Sequence, residues 1–171
     1  MNIFALSTDT DQAARWHMDK HVVKMPLESA QMLCTALHRH GYNAIYKPGY
    51  VKHPCTIWCG NSRSNFEWLC SLGIELCKEF TYRYGKVHGS ENVILDCLAN
   101  ANNIPTGELT TFAMAMPAEF KRECPIEAYR EYYRKAKSHL AFWRMRDEPA
   151  WYREDLCLNA KDAMDTASQK A

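Results

Sequence analysis

Apolar and polar positions recur at a helical period over most of this chain. Residues 17–31 (HMDKHVVKMPLESAQ) show it best. At about 100° per residue, His17, Lys20, His21, Lys24, Glu28 and Gln31 fall in one stripe roughly 100° wide. Val22, Val23, Pro26, Ala30, Leu33 and Leu37 take the opposite side and read as a core face. Upstream, residues 2–6 are a short apolar piece, either a strand or an extended lead-in. Thr10 or Asp11 is placed to cap a helix that runs through Ala13 and Ala14 into the polar stripe. Pro26 removes one backbone hydrogen bond and predicts a kink. The pattern resumes at Leu27 and stops at His40, before Gly41, a fitting C′ residue.

The next segment, residues 41–56, reads as a Pro/Gly loop that interleaves Tyr42, Tyr46 and Tyr50 with Lys47, Lys52 and His53. Asn61 or Ser62 then caps a long helix, with Phe66, Leu69, Cys70, Gly73, Leu76, Cys77 and Phe80 at helical spacing. It runs to Tyr84 and ends at Gly85. Ser90 starts a shorter helix over 91–100. Residues 101–118 form a connection long enough to suggest a functional loop. Pro125 fits the first position of a last helix (PIEAYREYYRKAKSHLAFW), with Tyr129, Tyr132, Tyr133 and Ala136 inward. The final dozen residues are polar and read as a frayed end. The pattern predicts a mostly α fold: one compact helical domain over residues 1–171, around a long Pro-kinked central helix.

Composition changes this picture little. The chain has 171 residues, 47% hydrophobic and 12% aromatic, which suits a globular domain. Net charge is only +1, but its distribution is uneven. Residues 121–146 hold eight Lys or Arg against three Glu, and a second basic segment covers 15–52. Such a one-sided field attracts phosphate. A basic n-region with a long apolar core is missing at the start, and no run is apolar enough to span a bilayer. Eight cysteines in such a chain are expected as thiols in a cytoplasmic setting.

The stripe carries the chemistry. Two imidazoles, two amines, a carboxylate and an amide share it. Its plain reading is a solvated face with i,i+4 pairs such as Lys24 with Glu28; its sharper reading is a proton-transfer or anion-binding site. His17-x3-His21 has metal-ligand spacing, but no HExxH follows, and neither a metal nor a cofactor is expected. P-loop, dinucleotide and nucleophile-elbow motifs are absent.

Several short pieces resemble the phage pyrimidine-dimer DNA glycosylases of the endonuclease V type. His17 is followed nine residues later by Pro26, as in that family. Met116-Pro117-Ala118-Glu119-Phe120 matches its late Pro-x-Glu-Phe segment, and Pro149-Ala150-Trp151-Tyr152 its Pro-x-Trp-Tyr segment. The helix over 67–85 is similar to its central one. The resemblance implies a glycosylase that extrudes a damaged or modified nucleotide, in the host cytoplasm if phage-encoded. The family attacks with the α-amine exposed by Met removal; here Asn2 follows Met1. The family's essential Glu, two residues before the Pro, is replaced by Lys24. The expected roles are therefore Lys24 as nucleophile or electrostatic stabiliser and Glu28 for proton transfer or oxocarbenium stabilisation. His17 and His21 are placed as acid–base or phosphate-contact groups. Lys20, Gln31, Tyr46, His53, Trp58, Tyr82, Arg83 and Tyr84 form the expected substrate-contact set. DNA or a nucleotide is the expected partner. The alternatives are an enzyme that modifies or cleaves a free nucleotide, and a non-catalytic protein that sequesters one.

Overall fold

In a computed structural model, which describes residues 1–153, the chain is mostly helical with no strand among the described residues. Helix α1 spans Thr10–Trp16, α2 Asp19–Arg39, α3 Pro54–Cys59, α4 Arg63–Tyr84, α5 Glu91–Ala99 and α6 Pro125–Ala136. Short 3₁₀ turns cover Ala101–Asn103, Ala118–Phe120 and Ser138–Leu140. The central helix is α2, which packs against α3, α4 and α5, while α1 lies on α4. Gly73 makes the crossing close. A Cβ there would sit 2.9 Å from Ile94 Cδ1 and 3.5 Å from Ser29 Cβ.

The caps follow ordinary chemistry. The Ser62 hydroxyl accepts from Asn65 N–H, and Gly85 closes α4 at φ 67°, a conformation that is nearly free only for glycine. Asp9, rather than Thr10 or Asp11, caps α1 by accepting from Gln12 N–H.

Two expectations are corrected. The helix expected to run unbroken into the stripe is two helices: His17 and Met18 are extended, with ψ 133° and 151°. Their break is held from α4, where Arg83 donates to the carbonyls of Arg15 (3.0 Å) and His17 (2.9 Å) and to the Asp19 carboxylate (2.8 Å). α2 carries Pro26 inside it, as expected of the long central helix; the missing N–H leaves Val22 without its i+4 donor. Second, α6 stops at Ala136 instead of running on to Trp143. Beyond it the chain turns along α2, where Asp19 N–H donates to the Phe142 carbonyl (2.9 Å).

One continuous apolar cluster runs from Ile3 to Tyr152. Cys34, Cys55, Cys59, Cys70, Cys77 and Cys97 are buried free thiols and Cys124 is an exposed one; Cys157 and the frayed end expected of the last residues lie outside the described residues. Because packing rather than cross-links holds these helices, the melting temperature is expected to stay unchanged when dithiothreitol is added. A large fall in a thermal scan would show a stabilising disulfide. No helix among the described residues is long and apolar enough to cross a membrane.

Candidate functional site

The polar stripe of α2 meets the start of the chain. Residues 2–6 belong to no helix and are buried, Phe4 lying against α2 and α6. Asn2 fixes the approach. Its carboxamide oxygen accepts from Ile3 N–H (2.8 Å), and its amide donates to the Ala115 carbonyl (2.8 Å). Phe4, at φ +37°, is held in a conformation that costs an L-residue energy. The return is a ring stacked on His21, with centroids 4.4 Å apart and planes at 18°.

A cleft of about 220 Å³ opens here, lined by Met1, Asn2, Phe4, His21, Lys24, Glu28, Tyr132 and Lys137 among others. Glu28 is its centre and is only 7% exposed. Its Oε2 accepts from Asn2 N–H at 2.9 Å and lies 3.7 Å from the Met1 amine. Its Oε1 lies 3.4 Å from Lys24 Nζ. The Met1 side chain is anchored, 3% exposed, whereas that of Lys24 is 69% exposed. With Lys137 over the Tyr132 ring at 5.1 Å, the cleft holds three cationic groups and one anion, an excess that favours an anionic ligand.

His21 forms the inner wall. Its Nδ1 is hydrogen-bonded to the Tyr133 hydroxyl. Burial, reinforced by the charge of His17 when protonated, pushes the His21 pKa down to about 3. At neutral pH His21 is an uncharged hydrogen-bond donor, not an imidazolium acid.

His17 is not in the cleft. It is fully buried, and its Nδ1–H donates to the Ala13 carbonyl (2.7 Å), while Nε2 has no hydrogen-bond partner. Burial pushes its pKa down to about 4. Both depressed values have the same consequence. Between the ordinary value of 6.5 and about 4 or 3, the unfolded chain binds protons that the native state refuses. Stability is therefore full above 6.5 and is lost as pH falls towards those values. Lowering the pH from about 7 to about 5 is expected to remove on the order of 2 kcal/mol per histidine. Denaturant midpoints across that range check it, with His17→Gln flattening the slope.

The other expected contact residues disperse. Lys20 and Tyr84 line a second cleft of about 550 Å³, with Asp19, Val23, His139, Phe142 and Arg144. Arg144 lies over the Tyr84 ring at 5.2 Å, and Arg146 over Tyr82 at 4.1 Å, so these tyrosines carry arginines rather than an open stacking face. His53 caps α3, its Nδ1 accepting from Cys55 N–H (3.2 Å). Tyr46 packs on the core, its carbonyl receiving His38 Nε2–H (2.9 Å). Gln31 is half-buried and outside the cleft.

Two expected contacts are corrected outright. Trp58 is 5% exposed, wedged against Trp68 and Phe112. Arg83 is 3% exposed, with its donors spent on Glu79, Asp19 and two carbonyls. Neither reaches a ligand. The sequence pattern missed Asn2, Phe4, Tyr132 and Lys137. Only the last two carried any signal, as an aromatic and a cation in the basic segment over 121–146.

Comparison with protein-family models, curated proteins and solved structures returns no match.

Proposed function

We propose that this chain breaks the N-glycosidic bond of a nucleotide unit, as a DNA glycosylase acting on an extruded damaged or modified base. The observation that carries the reading is the buried Glu28 carboxylate between two amines, Lys24 Nζ at 3.4 Å and the Met1 amine at 3.7 Å. An amine beside a carboxylate can form a bond to C1′ of a deoxyribose. As that N–C1′ bond forms, the C1′–base bond breaks and its electron pair leaves with the base. The amine attacks uncharged, having lost its ammonium proton, and passes a second proton to Glu28; the departing base takes one, and Glu28 returns the other to O4′ as the C1′–O4′ bond opens to the imine that borohydride reduces, so charge balances. Glu28 also offsets positive charge developing on the sugar ring. The stacked Phe4–His21 pair and Tyr132 give the cleft aromatic walls, and Lys137 adds a cation for a flanking phosphate. The resemblance to the endonuclease V type of glycosylase points the same way, with Glu28, one turn beyond Lys24, as carboxylate.

Borohydride trapping on duplex DNA with abasic or damaged sites tests the proposal. A covalent adduct is expected, and peptide mapping assigns the amine. Trapping that survives Lys24→Ala and maps to the first residue moves the nucleophile to the Met1 amine. Absence of an adduct with every DNA tried ends the amine mechanism. The size of the cleft, about 220 Å³, favours a second reading in that event: an enzyme or binding protein for a single free nucleotide, checked by the mass of any ligand that copurifies.

A further inference from the structure

The segment from Lys137 to Arg146 has features that the cleft chemistry does not use. Phe142 is 61% exposed and Met145 63%. Single exposed apolar side chains are common; these two differ in how they are held. On either side of Trp143 the backbone is pinned: the Phe142 carbonyl accepts from Asp19 N–H at 2.9 Å, and Arg144 N–H donates to Asp19 Oδ1 at 2.9 Å. Trp143, between them, is 9% exposed and donates its indole N–H to the Trp16 carbonyl (2.8 Å). Met145 sits at φ +57°, a costly backbone for a side chain with a Cβ. Arg146 is clamped by both Glu79 oxygens (2.9 and 2.8 Å). The turn thus presents two apolar tips on a fixed backbone, with little ordering entropy left to lose on binding.

Cations surround these tips. Lys20 and Arg144 line the second cleft beside Phe142. Lys24 and Lys137 line the first. Lys20 and Lys24 are one turn apart on α2, about 6 Å along its axis. The one carboxylate in the second cleft, Asp19, is bound to Arg83 and to Arg144 N–H. A continuous basic track therefore joins the two clefts, and the apolar wedge stands at its edge.

Resting on the glycosidic reading, we infer that Phe142 enters the base stack of a DNA duplex where a nucleotide has left it, the flanking phosphates following Lys20, Lys137 and Arg144. Apolar side chains inserted between base steps unstack and kink a duplex in this way. The space vacated by an extruded base needs a filler of aromatic size.

The test uses the whole protein and a duplex carrying a tetrahydrofuran abasic analogue beside 2-aminopurine. The analogue has no anomeric leaving group, so binding is read without the chemistry. Wild type is expected to bind with a steep salt dependence and to raise 2-aminopurine fluorescence by unstacking it. Phe142→Ala should abolish the rise and weaken binding about tenfold, with the melting temperature unchanged because the side chain is exposed. Lys20→Ala and Arg144→Ala should each lower the slope of log K against log salt by about one. Absence of salt-dependent binding, or an undiminished rise with Phe142→Ala, overturns the inference. So does a dimer broken by Phe142→Ala in a protein that ignores DNA, which would make this turn a contact between copies. A borohydride adduct with an abasic mononucleotide, without duplex binding, would overturn the duplex while leaving the glycosidic reading intact. Duplex binding with no adduct would do the reverse.

Discussion

Replacing Arg83 with methionine is expected to destabilise the protein by about 3–5 kcal/mol, the usual result of removing one partner from a buried ionic cluster. Arg83 is 3% exposed and spends its guanidinium on Glu79, Asp19 and the carbonyls of Arg15 and His17. Methionine matches its bulk and supplies none of those donors. Two carbonyls then lose their donor, and Asp19 loses its guanidinium while keeping the Arg144 N–H. Glu79 still has Arg146, so the loss is not total. Burial on its own raises the Glu79 carboxyl, and the hydrogen bonds from Arg146 and Arg83 reverse that into a net lowering. That lowering stabilises the fold above the ordinary carboxyl range and fades as pH falls, so the variant's stability should depend less steeply on acid than the wild type's. Lysine is not a rescue, because one ammonium cannot reach three directions in a plane. A fall in melting temperature of roughly 10 °C is the readout. Arg15→Ala is the control: its bridge to Asp11 joins side chains 52% and 54% exposed, and such pairs contribute less than about 1 kcal/mol. Equal melting of the two variants would show that the cluster does not hold the α1–α2 break.

The misreading of Arg83 shows where sequence patterns run out. A cation in the last turn of a helix is favourable on dipole grounds alone, so nothing local distinguishes a buried Arg83 from an exposed one. Apart from Glu79, one turn back, its partners lie 64 to 68 residues away. The break at His17 and Met18 fails for the same reason. Periodicity runs smoothly through it, and the carbonyls it frees are bound by a distant helix. What local chemistry decides was legible: the Ser62 cap, the Gly85 stop, the Pro125 start, and the common azimuth of His21, Lys24 and Glu28 on α2. The floor of the cleft was not. Asn2 and Phe4 belong to a non-repeating segment, and the Ala115 carbonyl that receives Asn2 is 113 residues away. The expectation for His21 failed in a different way. The side chain lies where the stripe put it, but Phe4 and Tyr133 enclose it, and burial removes the charge that an acid–base role needs.

Glu28→Gln is expected to lower the rate of borohydride-trappable adduct formation by about 10²–10⁴-fold, the range for a lost proton-transfer group, while the fold persists. The substitution separates two roles of the carboxylate. As a structural anchor, Glu28 accepts from Asn2 N–H at 2.9 Å. A glutamine carboxamide oxygen can accept that bond, so the first residues should stay seated and the melting temperature should change little. As the partner of Lys24 and the Met1 amine, at 3.4 and 3.7 Å, it supplies a negative charge and a proton acceptor. Glutamine supplies neither and presents an NH₂ to one of the amines. The duplex with the unreactive analogue gives the matching binding measurement, which should hold or tighten as an anionic backbone meets a more positive cleft. A rate that falls while binding and melting hold places Glu28 in the chemistry. If the rate is unchanged, the carboxylate is an anchor for the chain's first residues, and the proton from the attacking amine goes elsewhere. If rate and melting temperature fall together, Glu28→Asp decides. A shorter carboxylate keeps the charge but retreats from Asn2 N–H, so recovered adduct formation in a destabilised protein still assigns Glu28 the proton.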